Sequence, residues 1–250
     1  MIVDTHCHIL SEYYDDIAVL MKEIEKKDII LIISGVNPIS NKEVIELTKK
    51  YKNVYGTVGF HPSEVDLINE NDFLELEAQL KHNKILGVGE IGLDYYWIKD
   101  NKEKQKAMFI KQLNIAQKNN CSVVIHNREA TEDILNILSN YKLNGIIHAF
   151  SKGIEVANNF IKLGYKLGIG GVLTFKNSNL KQTLKDIPLD CIVVETDSPY
   201  LTPEPFRGKL NSPLYIENII DKISEIKGQN PNVIKENLYN NTIQIFDFNK

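Results

Sequence analysis

Apolar residues in this chain gather in short, nearly unbroken runs, eight times over: "IVDTH", "IILIISGV", "NVYGTVGF", "KILGVGEI", "CSVVIH", "NGIIHAF", "YKLGIGGV" and "CIVVETD". A strand covered on both faces reads this way, because neither face is left to water. Between the runs, apolar residues return every three or four positions in "DDIAVLMKEIEKK", "NKEVIELTKKY", "DFLELEAQL", "KEKQKAMFIKQLNIAQKNN", "EATEDILNILSNY" and "IEVANNFIKLG". That is the spacing of helices with one buried face. Strand and helix therefore alternate, which implies parallel strands and right-handed crossovers. Eight such units in 250 residues have the size and rhythm of an α/β fold closed as a single (β/α)8 TIM barrel. A doubly wound open sheet is the competing arrangement, but the first strand lacks the G-x-G-x-x-G turn of its dinucleotide-binding form.

After the eighth strand, "SPYLTPEPFRGKLNSP" holds Pro199, Pro203, Pro205 and Pro213, too long and stiff a stretch for a plain connector. It reads as an active-site loop. The segment "QNPNVIKENLYNNTIQIF" then offers Asn230 as N-cap and Pro231 as first residue of a closing helix. Val233, Ile234, Leu238 and Ile245 are expected to face inward. No linker, low-complexity tract or internal repeat divides the chain, so residues 1–250 are expected to form one domain.

A formal net charge of -4 excludes a protein coated in positive charge, so any nucleic-acid contact must be local. The longest strongly apolar run, Ile29 to Val36, is far short of the roughly 20 residues of a membrane span. Asp4, His6 and His8 stand where a signal peptide needs apolar residues, and a cytoplasmic location is expected. Cys7, Cys121 and Cys191 lack paired spacing and read as reduced thiols. A monomer without an obligate protein partner is the default expectation.

Chemistry in a (β/α)8 barrel sits at the carboxyl ends of the strands. His6 and His8 end the first run, where a period of two sends both to one side. His61 in "GFHP" follows the third run, Glu90 in "GEIGLDYY" ends the fourth, His126 the fifth, His148 the sixth, and Asp197 the eighth. Such groups are costly to bury together unless they pair with each other or with a cation, and a binuclear metal site is the economical explanation. His6, His8 and Asp197 can hold one divalent ion, His126 and His148 a second, and Glu90 can bridge. Two cations about 4 Å apart can activate a shared water and steady both oxygens of a displacement, which makes the reaction a hydrolysis. Asp197 is also placed to take the proton of the attacking water. His82, in the polar stretch "LKHNK", reads as a solvated surface residue.

The motifs "DTHCH", "VGFHP", "GEIGLDYY", "VIHNREA", "HAFSKG", "LGIGGVLTFKNS" and "VVETDSPYLTPEPFRGKLNSP", in this order, closely resemble the TatD-type metal-dependent deoxyribonucleases of the amidohydrolase-like barrel superfamily. The resemblance implies the same six ligands: His6, His8, Glu90, His126, His148 and Asp197. It also implies hydrolysis of DNA, commonly as a 3'-to-5' exonuclease. Ala149 and Lys152 depart from the HCFSG of many relatives, and Asn127 stands where a serine is frequent; none is a proposed ligand.

Substrate can also be read from the rim. Many carbonyl-hydrolysing relatives bridge their metals with a carboxylated lysine, but Glu90 takes that place here. A hydrolase of a small carbonyl or phosphoester compound is thereby the second reading. Arg128, Lys176, Arg207 and Lys209 suit phosphate oxygens, although Glu129, Glu155 and Glu204 make the rim mixed. Phe60, Tyr95, Tyr96, Trp97, Phe175, Tyr200 and Phe206 offer faces for unpaired bases, some of which must instead be ordinary packing. His61 can donate to a phosphate oxygen or a leaving alkoxide, or orient its own turn. Asp94 can steady a ligand histidine or an arginine. An imidazole-rich site favours Zn2+ or Mn2+ whereas enzymes acting on DNA often use Mg2+, so the cation stays open among these.

Overall fold

The computed structural model describes residues 1–97 and 100–248. The strands are β1 (Ile2–Cys7), β2 (Ile29–Ser34), β3 (Val54–Val58), β4 (Ile85–Asp94), β5 (Ser122–Arg128), β6 (Gly145–Ile147), β7 (Tyr165–Ile169) and β8 (Ile192–Val194). They form one eight-stranded parallel sheet in chain order. The helices among the described residues are α1 (Ile17–Lys26), α2 (Pro38–Lys50), α3 (Glu70–Gln79), α4 (Lys102–Lys118), α5 (Thr131–Leu138), α6 (Ile154–Lys162), α7 (Leu180–Asp186), α8 (Ile216–Lys227) and α9 (Pro231–Ile243). This is the topology of a (β/α)8 barrel, as the alternating pattern predicts.

The chain divides into two compact units. The first comprises Met1–Ile33 with His148–Gln244. Within it β1 runs parallel to β2, Ile2 beside Ile29 and Asp4 beside Leu31, while β7 pairs with β8. The Thr5 hydroxyl donates to the Val194 carbonyl at 2.9 Å, and Asp197 N–H to the His6 carbonyl at 3.0 Å, so β8 and its exit are tied to β1. Helix α9 packs on both strands, and the buried Asn241 amide donates to the Leu189 and Ile192 carbonyls, at 2.8 Å each. As expected, the Asn230 side chain caps α9, accepting from Asn232 N–H at 2.9 Å, with Pro231 next. Ile234 and Leu238 are buried, as is Ile245 beyond the helix, but Val233 is 46% exposed, against the expectation. Neighbouring helical residues point about 100° apart, and the face set by Ile234 and Leu238 leaves Val233 outside.

The second unit comprises Ser34–Ile147 and the residues from Ile245 on. Here β3 pairs with β4, β4 with β5, and β5 with β6, all parallel. Strand β4 is longer than its apolar run because pairing continues to Asp94 beside Arg128. Strands β6 and β8 are shorter than expected, three residues each. Polar residues follow in both cases, and Ala149 and Asp197 take left-handed backbone conformations (φ 46° and 54°) that leave the strand path.

Candidate metal centre

Two clusters of imidazole and carboxylate groups stand at strand ends, one in each unit. In the first unit, the wholly buried β1 carries His6, and His8 follows just past its end, with the two rings meeting edge to face at 4.7 Å between centroids. The His148 ring lies 4.1 Å from that of His6. Asp197 Oδ1 is 3.4 Å from His6 Nε2 and 3.7 Å from His8 Nε2. Donor atoms of His6, His148 and Asp197 all lie within 4.8 Å of one another, close enough to share one ion. Burial alone would raise the Asp197 carboxyl, but the His6 hydrogen bond and the charges of His148, His6 and His8 hold it below the usual carboxylate range. It is thus an anion ready to meet a cation.

Two buried carboxyls that the sequence reading did not single out lie under this cluster. Asp4 accepts from Thr196 N–H at 2.9 Å and from the Thr196 hydroxyl at 2.5 Å, and burial pushes it up to about 7. Glu195 Oε1 accepts from Ala149 N–H at 2.5 Å and sits 3.9 Å from His148 Nδ1. Burial pushes it up to about 8. Its other oxygen fills the space left by Gly168, where a Cβ would come within 2.1 Å of it. In "CIVVETD" Glu195 looks like one more polar residue at a strand end; only its partners show what it does.

In the second unit, Glu90 is 3% exposed on β4, and its Oε1 lies 2.8 Å from His126 Nδ1 and 3.7 Å from His61 Nε2. Asp94 Oδ2 engages the other nitrogen of the same imidazole, His126 Nε2, at 3.1 Å. Burial pulls His126 down, yet the hydrogen bonds and charges of Asp94 and Glu90 outweigh it and hold the ring at about 9. Donor atoms of His61, Glu90 and His126 also lie within 4.8 Å of one another. The His61 ring is also tied to its own turn. Its Nδ1 lies 2.8 Å from Ser63 Oγ and 3.1 Å from Ser63 N at the start of the turn Pro62–Glu64. The cluster thus offers Glu90 and His126, with His61 beside them, as donors that could hold a cation. Asp94 then stands behind His126 as an orienting carboxylate.

Two buried glutamines on α4, absent from the sequence reading, fix this geometry. Gln112 accepts from Phe60 N–H at 2.7 Å and donates to the Phe60 carbonyl at 3.0 Å, clamping the residue before His61. Gln105 does the same for Asp94, accepting at 2.9 Å and donating at 2.9 Å. Their spacing of seven residues puts both on one helix face.

The remaining candidates are more scattered. Tyr95 is buried, donates its hydroxyl to Asp133 at 2.7 Å and carries Lys102 over its ring at 4.5 Å; the exposed faces at this turn belong to Tyr96 and Trp97. Arg128 lies over both of those rings. In the first unit the exposed Arg207 stacks 3.7 Å from the Phe175 centroid, and Lys209 stands 5.8 Å over Phe206. His82 is exposed, as expected.

Imidazole nitrogens joined by ionised carboxylates at the strand ends of a (β/α)8 barrel form the donor set of a divalent-metal hydrolase, and these residues fit one. The TatD related DNase family model matches residues 3–247. The chain is 37% identical over 234 residues to the uncharacterized metal-dependent hydrolase YabD of Bacillus subtilis, covering 91% of each chain. It is 32% identical over 248 residues to the uncharacterized metal-dependent hydrolase MJ1582 of Methanocaldococcus jannaschii, covering 98% of this chain and 96% of that one. Among solved structures, YjjV, a TatD homolog from Escherichia coli, superposes with a TM-score of 0.92 at 25% identity over 98% of both chains. The class is thus a metal-dependent hydrolase. Within that class, the chain belongs to the TatD-related DNase family.

Proposed function

We propose that this protein is a deoxyribonuclease that removes nucleotides from the 3' ends of single-stranded or frayed DNA, using two divalent cations. The observation that carries the reading is the pair of strand-end donor clusters, each with an arginine over an aromatic ring near the strand ends of its own unit. His6, His8, His148 and Asp197 would hold one ion, and Glu90 with His126 the other. Such ions supply Lewis acidity, lowering the pKa of water toward neutrality and neutralising phosphate charge.

The chain's own groups do the rest. Asp197, kept ionised by the histidines around it, accepts the proton of the attacking water. His61 Nε2–H donates to the departing 3' oxygen, its ring held by the Ser63 N–H on the far side. Arg128, Arg207 and Lys209 take phosphate oxygens, Arg207 with its guanidinium over the Phe175 ring.

The test is digestion of single-stranded DNA labelled at one end or the other by metal-stripped protein resupplied with Mg2+, Mn2+ or Zn2+. A ladder shortening from the 3' end, lost in Asp197→Asn, supports the reading. Intact DNA with every metal, alongside turnover of a lactone or small phosphoester, replaces it with the second reading.

A further inference from the structure

The end of β4 carries a feature that neither barrel packing nor cation binding requires. The chain turns there through Tyr96 and Trp97, 45% and 71% exposed, whose rings meet edge to face at 4.8 Å between centroids. From the adjacent end of β5, the exposed Arg128 lays its guanidinium 4.0 Å from the Tyr96 centroid and 5.1 Å from that of Trp97. Core packing does not explain large apolar faces held open to water. The turn is also pinned. Asp94 Oδ1 accepts from Tyr96 N–H at 2.9 Å and Trp97 N–H at 3.3 Å, while Oδ2 holds His126 Nε2. One carboxylate thus fixes the aromatic turn relative to the Glu90–His126 pair.

We propose that Tyr96, Trp97 and Arg128 form a stacking site for an unpaired base of single-stranded nucleic acid, with Arg128 gripping the neighbouring phosphate. The inference rests on the nuclease reading and narrows it to a strand end whose bases are unstacked. Every base has a π-face, so the site is tolerant of sequence. An arginine held over a ring by its π-face still has N–H groups to offer phosphate oxygens, so one group serves both purposes. A base-paired end hides its faces and binds poorly.

Trp97 is the chain's sole tryptophan, so tryptophan emission excited at wavelengths where the tyrosines do not absorb reports on this site alone. Full-length, metal-stripped protein is titrated with a single-stranded oligonucleotide and with an abasic strand of equal length, while anisotropy of a labelled strand follows binding. Steady-state cleavage by the metal-loaded protein gives kcat and KM. Saturable quenching is expected with the base-bearing strand, and the abasic strand should bind about 5- to 100-fold more weakly. Trp97→Ala raises KM by a similar factor with kcat within about twofold, and Trp97→Phe restores most of the loss. Binding without a change in emission, or an unchanged KM in Trp97→Ala, overturns the stacking site while leaving the nuclease reading intact. If no metal restores cleavage, the nuclease reading fails and the titration still decides: base-dependent quenching upholds the stacking site, and its absence removes it. A Trp97 that serves instead as a protein contact gives no difference between the two strands.

Discussion

At the scale of single residues, His126 has the most consequential environment. Carboxylates on both ring nitrogens hold it protonated up to about 9, so a cation reaching its Nδ1 must displace a proton. Mn2+ uptake by metal-free protein at pH 7.5 is therefore expected to release a proton from this group, with affinity at the Glu90 cluster rising toward pH 9. Calorimetry in two buffers of different ionisation enthalpy measures it, and an unchanged apparent enthalpy would refute the protonation state. Asp94 orients the same ring, so Asp94→Asn should weaken that cation by about 10- to 100-fold without unfolding the protein. Equal affinity in wild type and variant would remove its orienting role. The six candidate residues stand out in sequence because titratable groups at strand ends contrast with apolar runs, but their grouping did not: the sequence paired His148 with His126, and the structure sets it beside His6 and Asp197. Asp4 and Glu195 do not stand out, since a buried carboxyl is recognisable only by the Thr196 and Ala149 groups that satisfy it.

At the scale of elements, site geometry comes from helix to loop. Gln112 is fully buried and holds both backbone groups of Phe60; replacing it with alanine leaves an N–H and a carbonyl unpaired. Gln112→Ala should cost about 2–4 kcal/mol, read from the urea midpoint, with His61 function falling alongside. A midpoint shift corresponding to less than about 0.5 kcal/mol would show that water replaces the amide. Such clamps are hard to see in sequence: glutamine is common on helix surfaces, and "KEKQKAMFIKQLNIAQKNN" gives no sign that its polar positions face strands. Helix α8 carries Ile216, Ile219, Ile220 and Ile223 at helical spacing, all buried, yet it lies between the proline-rich loop and the closing helix in a stretch to which the sequence pattern was not applied. Helix α7, only seven residues with a short polar sequence, offered little period to find. Where periodicity and caps coincide, as at Asn230 and Pro231, pattern and structure agree closely.

At the scale of the whole molecule, the buried titratable groups give metal-free protein a definite pH dependence. Asp4 and Glu195, raised to about 7 and about 8, are protonated when folded but ionise near their ordinary range when unfolded, so folding weakens as pH climbs through that interval. His126 acts in the same direction: its contribution is fully present below its ordinary value of 6.5 and is lost as pH rises through about 9. Asp94 and Asp197, both lowered, add stability that disappears only in acid, as pH falls through their folded-state values. Metal-free protein should therefore lose thermal stability between pH 6 and pH 9, and bound cations should flatten the curve; a metal-free Tm that rises over this range would contradict these assignments. The central claim is that two strand-end clusters each hold a cation and that both ions serve DNA hydrolysis. Its most direct measurement is Mn2+ stoichiometry together with single-stranded DNA cleavage in wild type, His6→Ala and His126→Ala. Two equivalents in wild type, one in each variant, and cleavage lost in both is the predicted result. A single equivalent in wild type, or full cleavage in either variant, would contradict it.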